Sequence, residues 1–282
     1  MDYYRAGPWE ISTAQGHMMG SEAMDKLGSS LGFKIPALVY NNTFARLKHD
    51  SGFTYEILAD RALESIGTEY RKTVLYDGGE IRPESITVVP GEVKVSSAAH
   101  WEGRTVPKTS TFSEDSREQV AAQIFDSGND WTFTSLYKGS LNGARPFRIE
   151  QTTEEIPVHR LGMDNPILWA SEIVLFEDEL DDNGHCKLSF RIRSMQDCIF
   201  ALIRLYLRVD HVLIRICDTR IFIDLSQNSV LREFQYKEST YEELKKSGFD
   251  LSPQQVIHPR QSDLVYPNLQ PLHMFKDKVL FE

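Results

Sequence analysis

The chain has 282 residues, 41% hydrophobic and 26% charged, with a formal net charge of −10 and a pI near 5.4. This is the composition of a soluble globular protein with enough residues to bury a core, and its acidity argues against nucleic acid as the main partner, since phosphate binding needs a basic footprint. No apolar run approaches the roughly 20 residues of a membrane helix, and Met1-Asp2-Tyr3-Tyr4-Arg5 has none of the apolar stretch of a signal peptide.

From the N-terminus, residues 7–13 read as an opening strand, and Ser21–Leu27 as a short helix capped by Gly20 or Ser21. Thr43–His49 and Gly52–Leu58 form a strand pair turned at His49-Asp50-Ser51-Gly52. Asp60 then caps a helix from Arg61 to Ile66. Residues 77–92 and 103–129 are rich in Gly, Pro, Ser, Thr and acid and read as flexible loops, with a strand from Val93 to Trp101 between them. Trp131–Tyr137 and Phe147–Thr153 suggest a hairpin around Lys138-Gly139-Ser140, and Pro166 predicts a helix running to about Val174.

The segment from Ile173 to Asp224 is the most informative. Ile173–Leu180 runs into Asp181-Asp182-Asn183-Gly184, whose Asn-Gly pair suits a tight hairpin turn. Beyond it Cys186, Leu188, Phe190 and Ile192 alternate with Lys187, Ser189, Arg191 and Arg193, one buried face and one wet. Ile203, Leu205, Leu207 and Val209 alternate likewise with Arg204, Tyr206, Arg208 and Asp210. Val212–Ile216 returns and ends at a polar knot, Asp218-Thr219-Arg220, read as the place where a strand breaks. Val230–Phe234 is then a short strand, Thr240–Lys246 a helix stopped near Gly248, and the proline-bearing residues 249–282 an extended wrap. Strands and helices mix without regular alternation. The predicted class is α+β: one domain over 1–282, with a mainly antiparallel, twisted, sandwich-like β-sheet core and a few short helices at its edges.

A search for chemistry finds little. Gly28-Ser29-Ser30-Leu31-Gly32 matches a nucleophile elbow, but that elbow needs a strand before it, and here a helix precedes. Glu177, Asp178, Glu179, Asp181 and Asp182 with His185 suggest a metal or acid/base site, yet the calcium-loop spacing fails because Phe190 stands where the bidentate Glu belongs. A cross-strand charge ladder with Arg191 and Arg193 accounts for them better. His100-Trp101-Glu102 lacks the paired cysteines of a zinc deaminase. Arg204, Tyr206 and Arg208 share a strand face that can hold an anion, though a solvated face is the simpler reading. Asp218-Thr219-Arg220 is equally a binding cluster or an internal Asp–Arg pair. No catalytic residue, cofactor or metal site is expected. The three cysteines, Cys186, Cys198 and Cys217, read as buried reduced thiols, which points to a cytosolic or nuclear compartment.

Leu175-Phe176-Glu177-Asp178-Glu179-Leu180 with its Asn-Gly turn, Leu205–Asp210, Val212–Arg215, Asp218-Thr219-Arg220 and Leu231-Arg232-Glu233 together resemble the TIPRL (TOR signalling pathway regulator-like) family of type 2A phosphatase regulators. Gly7-Pro8-Trp9, Ser51-Gly52-Phe53, Asp130-Trp131-Thr132 and Tyr137-Lys138-Gly139 extend the match over most of the chain in the family's order. The resemblance implies a non-catalytic regulator that binds the catalytic subunits of type 2A-like Ser/Thr phosphatases, restrains them, and connects to the alpha-four adaptor and TOR signalling. It also implies a groove that grips the phosphatase's C-terminal tail through Ile156, Asp218 and Arg220, with Ile216 at an apolar contact. This chain departs from the pattern at Arg61, where the family can carry an acid, with Asp60 one position earlier. Ile216 stands where a Met can stand. A monomer is expected. Two other classes compete: an adaptor without effect on phosphatase turnover, and a metal-dependent hydrolase built on Glu177 to His185, which requires bound metal.

Overall fold

A computed structural model describes residues 1–66, 132–162, 164–180, 184–210, 212–249 and 259–282. The loops expected at 77–92 and 103–129, the strand expected at Val93–Trp101, and Asp181–Asn183 of the Asn-Gly turn lie outside the described residues.

Among the described residues the strands form two antiparallel sheets. The smaller contains β1 (Asp2–Ala6), β2 (Trp9–Ala14), β4 (Phe44–His49), β5 (Phe53–Leu58) and β6 (Ser140–Gly143), in the order β1-β2-β4-β5-β6. The opening strand expected at residues 7–13 is β2, and a further strand, β1, precedes it, with Gly7 at φ 54° turning the chain between them. The larger sheet has the order β3-β8-β9-β10-β11-β12-β13-β7. Its members are β3 (Leu38–Val39), β7 (Phe147–Gln151), β8 (Trp169–Asp178), β9 (Gly184–Ser194), β10 (Cys198–Val209), β11 (Leu213–Asp224), β12 (Ser229–Thr240) and β13 (Gln270–Phe281). The architecture is the α+β class expected from the sequence.

Period-two alternation explains how the sheets stack. Ile199, Ala201, Ile203, Leu205, Leu207 and Val209 of β10 share one buried cluster with Trp9 and Ile11 of β2, Leu47 of β4 and Tyr55 of β5. Phe281 of β13 stacks on Phe53 of β5, ring centroids 4.3 Å apart, and meets Trp9 edge-on at 5.7 Å. These contacts bury the inner faces of both sheets against each other, as in a sandwich. The outer face of the large sheet is covered as well. Tyr206, Ile214 and Ile216 pack with Leu244 of a helix at Tyr241–Lys246 and with Val265 and Leu269 of the C-terminal segment. Ile156 closes a third cluster with Met195, Cys198, Phe200, Phe222 and Leu231. All three cysteines are buried as thiols outside any disulfide.

The helices number as α1 (Ser21–Leu31), α2 (Ala59–Glu64), α3 (Tyr241–Lys246) and α4 (Ser262–Val265). α1 ends at Gly32, left-handed at φ 78°, whose N–H reaches Gly28 O. The elbow-like Gly28–Gly32 run is therefore a helix end. α3 carries a capping box, with Thr240 accepting from Glu243 N and Glu243 reaching back to Thr240 N.

Several expectations need correction. Asp60 is not a cap: Leu58 holds that position without a side-chain bond, and Asp60 sits in the first turn of α2. The helix expected from Pro166 is β8 from Trp169, because pairing with β9 outweighs the proline signal. The expected hairpin of Trp131–Tyr137 with Phe147–Thr153 does not form. β6 pairs with β5 and β7 with β13, so the chain crosses from one sheet to the other there, placing Phe147 edge-on against Phe53 at 5.6 Å. Residues 249–282, read as an extended wrap, contribute α4 and the twelve-residue β13.

Candidate functional site

Asp218, Thr219 and Arg220 do not mark a strand break. They lie inside β11, with Arg204↔Asp218, Ile203↔Thr219 and Leu202↔Arg220 facing β10. On the other side Asp218↔Gln235 and Arg220↔Glu233 face β12. Alternation sends Asp218 and Arg220 to the outer face together with Ile216 and Phe222, while Cys217 points inward.

Arg204 is the centre of this row. Its Nε and Nη2 each donate to Asp218 at 2.7 Å, a bidentate fork, and Nη1 donates to Ser262 Oγ at 3.1 Å and to Asp263 of α4. Both side chains of the fork are shielded, Arg204 at 8% and Asp218 at 0% exposure. Burial opposes the Arg204 charge, but Asp218 and then Asp263 more than offset it and raise its pKa. The face is therefore not solvated, as the simpler reading held, but dry and ion-paired beneath the C-terminal segment.

Arg220 differs. Its side chain keeps 32% exposure and pairs through Nη1 with Glu233 at 3.3 Å. Tyr266 stands among three cations: Arg204 Cζ lies 5.1 Å from its ring centroid, Arg220 Cζ 5.3 Å and Lys237 Nζ 4.3 Å. The Tyr266 hydroxyl donates to Gln235 Oε1, and Lys237 Nζ donates to Tyr266 O at 3.3 Å. Burial, then neighbouring Arg220, lowers the Lys237 pKa. Burial likewise pushes the Tyr266 hydroxyl up. Chemically, Arg220 and Lys237 beside an aromatic ring suit an extended acidic chain, one offering a fork for a carboxylate and the other a point charge.

The other site residues fall in two places. Ile156 joins Phe222 and Leu231, each two residues along its strand from Arg220 or Glu233, so it borders the row. Ile216 is fully buried under Leu244, Val265 and Leu269. Asp60 and Arg61 belong to α2, which packs on β5 and β8, and Arg61 pairs with Glu64 at 2.7 Å on the surface. The structure thus gathers Ile156, Ile216, Asp218 and Arg220 and leaves Asp60 and Arg61 elsewhere. Tyr266, Gln235 and Lys237 are the members that sequence reading missed. The signal for the last two was their period-two spacing from Glu233, which becomes visible once β12 is known to run to Thr240 rather than stop at Phe234.

Of the acidic cluster Glu177 forms cross-strand pairs, with partners other than those expected, while Asp178 accepts from Ala37 N and Leu180 N, and Asp181 and Asp182 lie outside the described residues. Glu177 meets His185 Nε2 at 2.7 Å and Lys187 at 3.5 Å, while Arg191 pairs with Glu172 at 3.3 Å and Arg193 stands opposite Ala170. The His185 hydrogen bond holds the Glu177 carboxyl below its ordinary value against the opposing effect of burial. Among the described residues no group of three or more His, Cys, Asp or Glu side chains is placed to hold a metal, and no helix is long and apolar enough to cross a membrane.

Comparison with known proteins adds an independent finding. A family model described as the TIP41-like family matches residues 38–245. The chain is 32% identical over 235 residues to the TIP41-like protein of Homo sapiens, covering 83% of this chain and 75% of that one. It is 38% identical over 150 residues to the TIP41-like protein of Caenorhabditis elegans, covering 53% and 49%. It is 29% identical over 240 residues to the Type 2A phosphatase activator tip41 of Schizosaccharomyces pombe, covering 84% and 82%.

Proposed function

We propose, from the premise that this chain belongs to the TIP41-like family, that it is a non-catalytic regulator of type 2A-like Ser/Thr phosphatases which binds their catalytic subunit. The observation that carries the reading is the similarity, over 84% of this chain, to proteins of two yeasts named as type 2A phosphatase activators.

The finer proposal is that an extended, acidic C-terminal tail of the phosphatase lies along the outer face of the large sheet. Arg220 and Lys237 would hold its carboxylates, Tyr266 would line its path, and Ile156 would border an apolar contact. Asp218 and Ile216 act from beneath: the first fixes Arg204, the second supports the cover formed by Leu244 and Val265. An extended segment gains affinity from such a strip when alternate side chains find apolar and charged positions in turn. We further propose restraint of turnover as the effect, a role in TOR-linked signalling shared with the alpha-four adaptor, a monomeric state, and residence in cytoplasm and nucleus.

The test is binding of the purified protein to a type 2A catalytic subunit, intact and with the tail deleted, with Arg220→Ala and Lys237→Ala alongside a turnover assay. Binding that weakens on tail deletion and in both variants supports the strip. Binding without any change in turnover would put an adaptor in place of a regulator. A rise in turnover would replace restraint by activation.

A further inference from the structure

Among the described residues, Asp218, Glu233 and Asp263 form the ion pairs of Arg204 and Arg220, and the three acids are not equivalent. Asp218 belongs to β11 and is fully shielded, and Glu233 belongs to β12 and is 6% exposed. Both are fixed by the ladder of the sheet itself. Asp263 comes from α4, a four-residue helix with no side-chain bond at its N-cap, and its side chain keeps 69% exposure.

The contacts of Asp263 define its place. Asp218 takes Nε and Nη2 of Arg204, so Nη1 is the nitrogen turned toward the covering segment, where Asp263 and Ser262 Oγ accept from it. Burial opposes ionisation of Asp263, yet Arg204, then Arg191 and Arg220, hold its carboxyl below the ordinary value. Guanidinium groups of β9, β10 and β11 thus converge on one exposed carboxylate. The cover itself is anchored by other residues. Val265 and Leu269 are buried against Ile214 and Ile216, the Tyr266 hydroxyl is tied to Gln235, and Lys237 Nζ donates to Tyr266 O. A rotation of the Asp263 side chain therefore frees Nη1 of one acceptor while the segment stays docked. An ion pair with an exposed member is weak, because water competes for it. A carboxylate on a longer chain that also meets Arg220 and Lys237 can take its place.

We propose that Asp263 is an internal competitor, which occupies Arg204 Nη1 in the free chain and yields that place to a carboxylate of the bound acidic segment. The inference rests on the partner strip of the proposed function and adds Arg204 to it as a third cation. The sign of one effect separates a competitor from a structural tie. A competitor weakens binding by its presence, through occupancy of Nη1 and through like-charge repulsion of the incoming acid. A structural tie strengthens binding, because it steadies the cover that carries Tyr266.

The experiment is the affinity of the full chain for a type 2A catalytic subunit, with its tail intact or deleted, comparing the wild type with Asp263→Asn, Asp263→Ser and Asp263→Glu. Asp263→Asn is expected to tighten binding of the intact subunit about three- to fivefold, on the scale of a partly exposed ion pair, and to leave binding of the tail-deleted subunit unchanged. Asp263→Ser, which differs from Asn in size and hydrogen bonding, should tighten it likewise. Asp263→Glu keeps the charge and should bind as the wild type does. A urea midpoint near that of the wild type reports that each variant folds. Weaker or unchanged binding in both Asp263→Asn and Asp263→Ser, while the wild type still loses affinity on tail deletion and in Arg220→Ala, would overturn the competitor and leave the strip standing. A wild type indifferent to tail deletion would remove the strip, and the competitor with it.

Discussion

The two faces of β11 carry the same alternation into different physical worlds. Inward, Cys217, Ile221 and Ile223 join the apolar interior shared by both sheets, where burial pushes the Cys217 thiol up to about 12. Outward, Ile216, Asp218, Arg220 and Phe222 alternate apolar and charged groups, and the charges are as dry as the core wherever α4 and its flanking turns cover them. The inner face is held by area removed from water. The outer face is held by geometry: a fork, a ring among cations, and a cover that a single residue can loosen. Non-directional burial tolerates exchange of one apolar group for another, whereas a buried ion pair tolerates the loss of both partners far better than the loss of one.

The largest effects separate these two cases. Asp218→Ala leaves Arg204 buried without its fork and is expected to cost about 3–5 kcal/mol, read as a fall in the urea midpoint. The double variant Arg204→Met with Asp218→Leu should recover most of that loss. On the inner face Phe190→Ala, at a fully buried ring, should also cost about 3–5 kcal/mol through a cavity, with no second substitution of charge to rescue it. A cost below about 1 kcal/mol for Asp218→Ala would show the outer face to be wet, since exposed pairs contribute no more than that.

A pH titration sharpens the contrast from the inner side. His49 is wedged between Trp9 and Phe281, 5.0 Å and 4.9 Å away, and accepts from Ser51 N at Nδ1. Burial lowers its pKa from 6.5, with nearby Asp50 opposing. The folded state therefore favours the neutral ring. Its contribution is complete above the ordinary value and is lost as pH falls from there through the folded value. Thermal melts should show this acid-side loss, and His49→Gln should flatten it.

A smaller effect tests the cover itself. Thr240→Ala removes the cap of α3 and should cost about 1 kcal/mol, loosening Leu244 above Ile216 and Tyr206. The smallest change in stability is expected at Arg220→Ala, under about 1 kcal/mol because the side chain is partly exposed. The same substitution should give one of the largest losses in phosphatase binding. A large loss of stability with unchanged binding would move Arg220 from the partner strip to the structural pairs.

Much of the fold was legible because period-two alternation survives in any context. The pairs of β9 with β10 and of β4 with β5 fall where Cys186–Ile192, Ile203–Val209, Thr43–His49 and Gly52–Leu58 predicted them. The failures sit where local signals and long-range pairing disagree. Pro166 reads as a helix start, yet β9 offers Trp169 a partner twenty-five residues later at Ser194. Phe147–Thr153 reads as one arm of a local hairpin, yet the strand there, β7, pairs with β13 at the far end of the chain. At the candidate site, Asp218 and Arg220 could be named from the sequence, but not told apart.

What the sequence determined by itself was therefore the class of the fold, the identity of most strands, the end of α1 and the family to which the chain belongs. Alternation, capping and residue order are properties of neighbours along the chain, and no folding is needed to see them. The tertiary structure alone decided that Arg204 is dry and Arg220 reachable, that Tyr266 gathers three cations, and that Asp263 rests on Arg204. Each of these depends on which distant segment covers a strand, and coverage depends on packing between residues far apart in the chain.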